Sequence, residues 1–312
     1  MTKTETPAER AAANAQTRCA IVALIGAPNA GKSTLINQMT GVKISIVTHK
    51  VQTTRARIRG IAMERECQLI LVDTPGIFAP KRRLDRAMVD AAWAGAHDAD
   101  MTLLLIDAAK GIDAEVRDIL KRLPDIAGKK LLILNKVDLV KKDALLSLIE
   151  EVRRYSEFDD IFMISALSGD GVAELKKHLG ETAPQGPWLY PEDQISDAPM
   201  RQLAAEITRE KLTLRLHQEL PYASTVETTA WKKLRQGGVR IEQTVYVMRD
   251  TQKKIVLGKQ GQTIKNISME SRKELSEILG VRVDLFLFVK VRSKWGDDPE
   301  RYHEMGLDFP KN

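Results

Sequence analysis
The chain has 312 residues, of which 43% are hydrophobic and 29% charged. That length suggests two domains, and that balance excludes a disordered chain, a collagen-like repeat and a disulfide scaffold. Charge is unevenly spread: residues 199–312 hold 21 Lys and Arg against 15 Asp and Glu, while residues 1–198 hold 27 of each. A neutral part joined to a basic part suggests a polyanion-binding unit attached to another.

Residues 1–17 read as a flexible tail without the apolar stretch of a signal peptide. No apolar run approaches the roughly 20 residues of a membrane helix. Cys19 and Cys67 lack CxxC spacing and fit a reducing cytoplasm, and the histidines form no HxxxH pair.

From 18 to 180, buried strand runs alternate with helical spacing. Strands are expected over 21–25, 58–63, 69–72, 101–106, 131–134 and 161–164, and helices over 114–123 and 143–154. The pattern predicts an α/β fold with a mostly parallel sheet and one edge hairpin, 58–72. Residues 181–198 carry Pro184, Pro187 and Pro191 and read as a semi-stiff linker. Residues 199–312 read as a smaller α+β domain. It has a helix over 200–216, strands over 222–231 and 239–248, a helix over 262–279 and an alternating strand over 281–291.

Gly26-Ala27-Pro28-Asn29-Ala30-Gly31-Lys32-Ser33 matches GxxxxGK[ST] between a strand and a helix, with Thr34 next. Such a loop turns backbone N–H groups onto phosphates at a helix N-terminus. Lys32 should reach the β- and γ-phosphates, and the Ser33 hydroxyl should bind Mg2+. Asp73-Thr74-Pro75-Gly76 ends the strand 69–72. Asp73 can hold Mg2+ through water, and the Gly76 N–H can approach a γ-phosphate.

Asn135-Lys136-Val137-Asp138 selects the base. Asp138 can accept both N1–H and N2–H of guanine, so adenine would leave a buried acid unpaired. Asn135 can bond the base edge, and the Lys136 stem can cover its face. Ser165-Ala166-Leu167 would complete the pocket with backbone N–H groups. In Gln52-Thr53-Thr54-Arg55, either threonine could bind Mg2+ when a γ-phosphate is present. That makes 50–57 a first switch and 77–86 a second.

This series resembles the Era- and TrmE-like branch of the translation-factor-related GTPases. The resemblance implies GTP hydrolysis with Mg2+, and it favours Thr54 over Thr53 as the metal ligand. It also implies a K+ ion beside Asn29 that could serve as an arginine finger. The expected catalytic set is therefore Lys32, Thr54, Gly76 and Asn29. Ile77 stands where many signalling GTPases carry a glutamine, and it cannot orient water.

In the basic part, Ile255-Val256-Leu257-Gly258-Lys259-Gln260-Gly261 followed by Ile264 matches the KH pattern. Gly258 and Gly261 would let an RNA backbone approach, with Lys259, Gln260 and Lys265 beside it. The family resemblance, which spans about residues 18–306, then implies a KH domain that binds 16S ribosomal RNA near its 3′ end. It further implies a cytoplasmic monomer acting with GTP and GDP in 30S subunit assembly. The alternative is a GTP-regulated membrane-surface factor, at the inner membrane, that uses the C-terminal domain for lipid or protein contacts. The basic helix over 200–216 could touch anionic lipid, but core packing is the favoured expectation for it. Phe286 and Phe288 could stack bases, but core packing is the favoured expectation.

Overall fold
Runs such as Cys67–Asp73 (β3) and Met101–Asp107 (β4) are buried at every position. A strand is buried throughout only when both faces of its sheet are covered. The computed structural model describes residues 17–50, 53–55, 58–217, 220–235, 237–293, 295 and 298–310. Of the expected tail, only Thr17 is among them.

β3 and β4 belong to a six-stranded sheet with Arg18–Ile25 (β1), Ile58–Glu64 (β2), Lys129–Asn135 (β5) and Asp160–Ile164 (β6), in the order β2-β3-β1-β4-β5-β6. Only the edge strand β2 is antiparallel. Lys32–Thr40 (α1) and Val172–Thr182 (α5) cover one face through Leu35, Ile36, Leu175 and Leu179. Arg83–His97 (α2), Ala114–Arg122 (α3) and Lys142–Arg153 (α4) cover the other through Trp93, Ile119 and Leu148. Connections run in opposite directions on either side of β1. The crevice at its carboxyl end is where such sheets bind ligands.

The sequence pattern did not anticipate α2. Its buried residues fall on two sides, with Val89, Ala92, Trp93 and Ala96 toward the sheet and Leu84, Ala87 and Met88 toward the C-terminal part, so no single stripe stands out. It also takes over the end of the expected second switch: residues 83–86 form its first turn. There the Asp85 carboxylate accepts the N–H groups of Lys81 and Arg82 at 3.0 and 2.9 Å.

The proline-rich stretch is more than a spacer. Buried Gln68 accepts the N–H groups of Leu189 and Tyr190 and donates to the Tyr190 carbonyl. Ile61 donates to the Ile195 carbonyl at 2.8 Å, and Arg59 pairs with Asp197. The strap thus covers the hydrogen-bonding edge that β2 would otherwise expose.

The last part has Met200–Arg215 (α6), Ser224–Lys233 (β7), Val239–Val247 (β8), Asp250–Leu257 (α7), Gln262–Leu279 (α8), Val283–Val291 (β9) and Pro299–Glu304 (α9). The sheet order is β7-β8-β9, with β9 parallel to β8. α7 was also unanticipated. It has eight residues, too few for a helical stripe, and Gln252 caps it by accepting from Met248 and Arg249.

The two sheets are joined by more than the strap. Leu84, Ala87 and Met88 of α2 pack on Trp295, Tyr302 and Leu307. Arg55, 2% exposed, crosses between the halves. It donates to the carbonyls of Pro221 and Ser224, both at 2.8 Å, and lies 5.8 Å from the Trp295 ring centroid.

Candidate functional site
Residues 26–34 form the turn between β1 and α1, and a cavity of about 520 Å3 opens over it. Pro28, Asn29, Gly31, Lys32, Ser33, Thr34, Thr54, Gly76, Asn135, Lys136, Asp138, Ser165, Ala166 and Leu167 all line it, gathered from five separate segments of the chain. Lys32 is buried, and its ammonium donates to the carbonyls of Gly26 and Ala27 at 3.0 and 3.1 Å. Burial pushes its pKa down to about 8, against the pull of Asp73. The lysine is thus held on the loop's own carbonyls.

Asp73, fully buried at the end of β3, gathers three hydroxyls on one oxygen. Ser33, Ser45 and Thr54 lie 2.8, 2.5 and 3.2 Å from Oδ2, while Oδ1 has no partner. Burial pushes this carboxyl up, and the hydrogen bond from Ser45 opposes it. An orphaned carboxylate oxygen beside two hydroxyls that stand 3.0 Å apart, Ser33 and Thr54, suits a hard divalent cation. No cluster of three His, Cys, Asp or Glu side chains occurs among the described residues. Such an ion would therefore depend on phosphate oxygens and water for its remaining ligands.

The geometry separates the two threonines. Thr54 joins Asp73, whereas the Thr53 hydroxyl turns to Thr48 and the Lys50 carbonyl, both at 2.7 Å. Val51, Gln52, Ala56 and Arg57 of the expected first switch lie outside the described residues. Ser45 was missed, because nothing in its sequence context marks it. It is placed by Asn37, whose Oδ1 accepts the N–H groups of Ile44 and Ser45, both at 3.0 Å. His49 and Lys110 also line the cavity without a sequence signal.

Gly76 sits where the strand-end loop meets the phosphate loop. A Cβ there would lie 2.9 Å from the Pro28 Cα, so only glycine allows the approach. The next residue, Ile77, donates its N–H to the Gly26 carbonyl at 3.1 Å and buries its side chain in the core. Thr74 is tied to β1 by its hydroxyl, which donates to the Leu24 carbonyl. Asn29 adopts a left-handed conformation, and its amide donates to the His49 carbonyl at 2.9 Å.

In the base pocket the Asn135 amide oxygen accepts from Lys136 and Ala166, while Nδ2 donates one N–H to the Ala30 carbonyl at 2.8 Å. Its amide ties three loops together. Asp138 is exposed at the cavity mouth. Lys136 is fixed by Asp107 at 2.5 Å, which holds its stem alongside the cavity. Ser165 is buried, and Leu167 stands 84% exposed at the rim.

In the C-terminal part, Gly258 closes α7 and Gly261 precedes α8. A Cβ on Gly258 would fall 2.1 Å from the Thr263 hydroxyl, and its φ of +74° is one that side chains rarely adopt. Lys259 and Gln260 are exposed on the tip between them, and Lys265 is exposed on the first turns of α8. The loop therefore offers backbone, a cation and a helix N-terminus to an anionic chain. The α6 helix packs into the core, as favoured for it, through Ala204, Ile207, Arg209 and Leu212 among others. No helix among the described residues is long and apolar enough to cross a membrane.

Each half of the chain matches a known family. Residues 21–136 match a family described as 50S ribosome-binding GTPase, and residues 219–296 match the KH domain. GTPase Era of Brucella suis is 64% identical over 95% of each chain. GTPase Era of Agrobacterium fabrum is 61% identical over all of this chain and 98% of its own. The crystal structure of an Aquifex aeolicus Era variant bound to GDP·AlF4− superposes with a TM-score of 0.88 at 36% identity, covering 93% of this chain and 99% of that one. An Era structure in complex with MgGDPNP and nucleotides 1506–1542 of 16S ribosomal RNA matches with the same score and coverage. With a GTPase fold and a KH fold in one chain, and relatives of this identity along nearly its whole length, the chain belongs to the Era family of GTPases.

Proposed function
We propose that this GTPase is a switch in which residues 18–180 bind and hydrolyse GTP, residues 181–198 connect, and residues 199–312 bind 16S ribosomal RNA during 30S subunit assembly. The observation that carries the reading is the pairing of a phosphate loop at a switch point with an exposed, basic GxxG tip in one chain. The relative captured with a 16S RNA segment supports the choice of RNA.

In this reading Lys32 leaves the Gly26 and Ala27 carbonyls for the β- and γ-phosphate oxygens. Ser33, Thr54 and Asp73 would hold Mg2+, which would neutralise charge on the phosphates. Gly76 would donate its N–H to the γ-phosphate. Lys136 would flank the base, and Asp138 would accept its two N–H groups. Ile77 points into the core, so the attacking water must be placed by backbone groups or by a partner. Low basal turnover follows.

A K+ ion beside Asn29 is the further element of this mechanism. Asn29 and the His49 carbonyl already meet, and both oxygens could turn onto a monovalent cation in place of their hydrogen bond. Replacing Na+ with K+ should then raise turnover, and Asn29→Ala should remove the difference. Equal rates in both salts would exclude the ion.

The depressed pKa of Lys32 gives a pH signature. Phosphate anions favour the ammonium, so its pKa rises on binding. Below pH 8 the lysine is protonated in both states and no proton moves. Above pH 8 the free protein must take one up, and affinity falls by up to about tenfold per pH unit. Calorimetry of GTP binding in two buffers of different ionisation heat should show uptake of more than about half a proton at pH 8.5, and almost none at pH 7. Identical heats at pH 8.5 would refute it.

The RNA assignment is tested by Lys259→Asp combined with Gln260→Asp. Two acids against the RNA backbone should lower affinity at least tenfold while GTP hydrolysis without RNA stays unchanged. RNA affinity retained in that variant would overturn the assignment.

A further inference from the structure
The sheet β7-β8-β9 is covered on one face by α6, α7 and α8, through Leu212, Val245, Val256, Ile267 and Leu275. β9 sends Val283 and Leu285 inward, and by alternation it sends Phe286 and Phe288 to the opposite face. Core packing was the expectation for these rings, and the structure corrects it. They are 43% and 48% exposed. The tertiary reason is that α6, α7 and α8 all pack on the other face, while among the described residues α9 reaches this one only at its Tyr246 end.

The far face is partly covered. At the Tyr246 end, Trp295 and Tyr302 pack over it, and Arg301 stacks on Tyr246 at 4.5 Å. The phenylalanine end lacks this cover. Phe286 sits opposite Glu242 on β8, and Phe288 sits opposite Thr244. The Arg240 guanidinium lies 4.5 Å from the Phe286 ring centroid while bonded to Glu242. Lys232 and Lys290 are exposed on the same face.

Open sheets that recognise single-stranded RNA carry aromatics two residues apart on one strand, where bases stack on the rings. Phe286-Leu287-Phe288-Val289 has that spacing and that exposure. β9 is also an edge strand of its sheet, and it packs against α7 and α8, the two helices that carry the GxxG loop. A strand of RNA leaving that loop can pass over this edge onto the rings.

We propose that Phe288, together with Phe286, is a base-stacking platform for the single-stranded RNA that flanks the nucleotides held at the GxxG loop. The proposal rests on the RNA-binding reading above. RNA is favoured over a protein partner by the surplus of six positive charges in residues 199–312 and by continuity with the GxxG helices. Phe288 is the principal ring, because Arg240 already stacks on Phe286. Affinity from this platform comes from stacking, so it should depend little on salt, unlike the phosphate contacts at the loop.

The test uses the full chain, an unstructured twelve-nucleotide RNA of adenine and cytosine, and the five-nucleotide segment at its centre. Phe286→Ser with Phe288→Ser should weaken binding of the longer RNA by about tenfold or more. The shorter RNA, which fills only the loop, should change less than twofold. The loss should persist at high salt, and Phe288→Trp should retain affinity. Unchanged binding of the longer RNA in the serine variant would overturn the proposal and leave the rings to a protein partner. An equal loss on both RNAs would also overturn it, as would failure of the unaltered chain to gain affinity with length. Failure of the unaltered chain to bind either RNA would instead remove the RNA-binding reading itself, and the platform with it.

Discussion

The loop from Lys43 to Arg55 is held from two sides at once. On one side Ser45 and Thr54 donate to the buried Asp73 carboxylate, beside the phosphate loop. On the other, Lys43 pairs with Glu210 and Glu274, the Val47 N–H donates to Glu210, and Lys50 caps the last carbonyls of α6 at Thr213 and Leu216. Arg209 of α6 reaches the Thr53 carbonyl. The same dozen residues that border the cation cradle therefore dock the KH half.

That docking is polar where it could change and apolar where it is fixed. Glu210 is buried and satisfied by Lys43, Lys211 and a backbone N–H, which together hold its carboxyl below the usual range despite burial. Breaking one partner of such a set is costly, because the others remain desolvated. Arg55 is under greater tension. Burial and the nearby Arg209 pull its pKa down to about 9, and its anchors are two carbonyls and a tryptophan ring rather than a carboxylate. By contrast, Leu84, Ala87 and Met88 of α2 meet Trp295, Tyr302 and Leu307 through apolar surfaces. A change in the loop would remove the polar contacts while this apolar hinge and the strap on β2 keep the halves together.

Much of this was legible in the sequence, for a physical reason. Gly31-Lys32-Ser33, Asp73 to Gly76 and Asn135 to Asp138 lie at strand ends where backbone geometry dictates residue type, so they survive as short motifs. The alternation 281–291 likewise announced β9. The partners of these motifs were not legible. Ser45, Arg55, Glu210 and Gln68 act through neighbours far away in the chain, and no local pattern marks them. The strap shows the same limit, since its prolines are visible but Gln68, the residue that anchors it, is more than a hundred positions away. Phe286 and Phe288 were misread because alternation tells which residues share a face, not which face the helices cover.

The central claim is that the γ-phosphate and the KH half compete for, or cooperate through, one loop. A γ-phosphate and its cation would draw Thr54 and reset the loop that Glu210 and Arg209 grip, so nucleotide and RNA affinities must be linked reciprocally. The direct measurement is RNA affinity with GDP and with a non-hydrolysable GTP analogue, for the unaltered chain and for Thr54→Ala. The account predicts a difference between nucleotides of about 5–150-fold in the unaltered chain, absent in Thr54→Ala, whose RNA surface is intact. Equal RNA affinity with both nucleotides in the unaltered chain would mean that the halves are docked but uncoupled, and would contradict it.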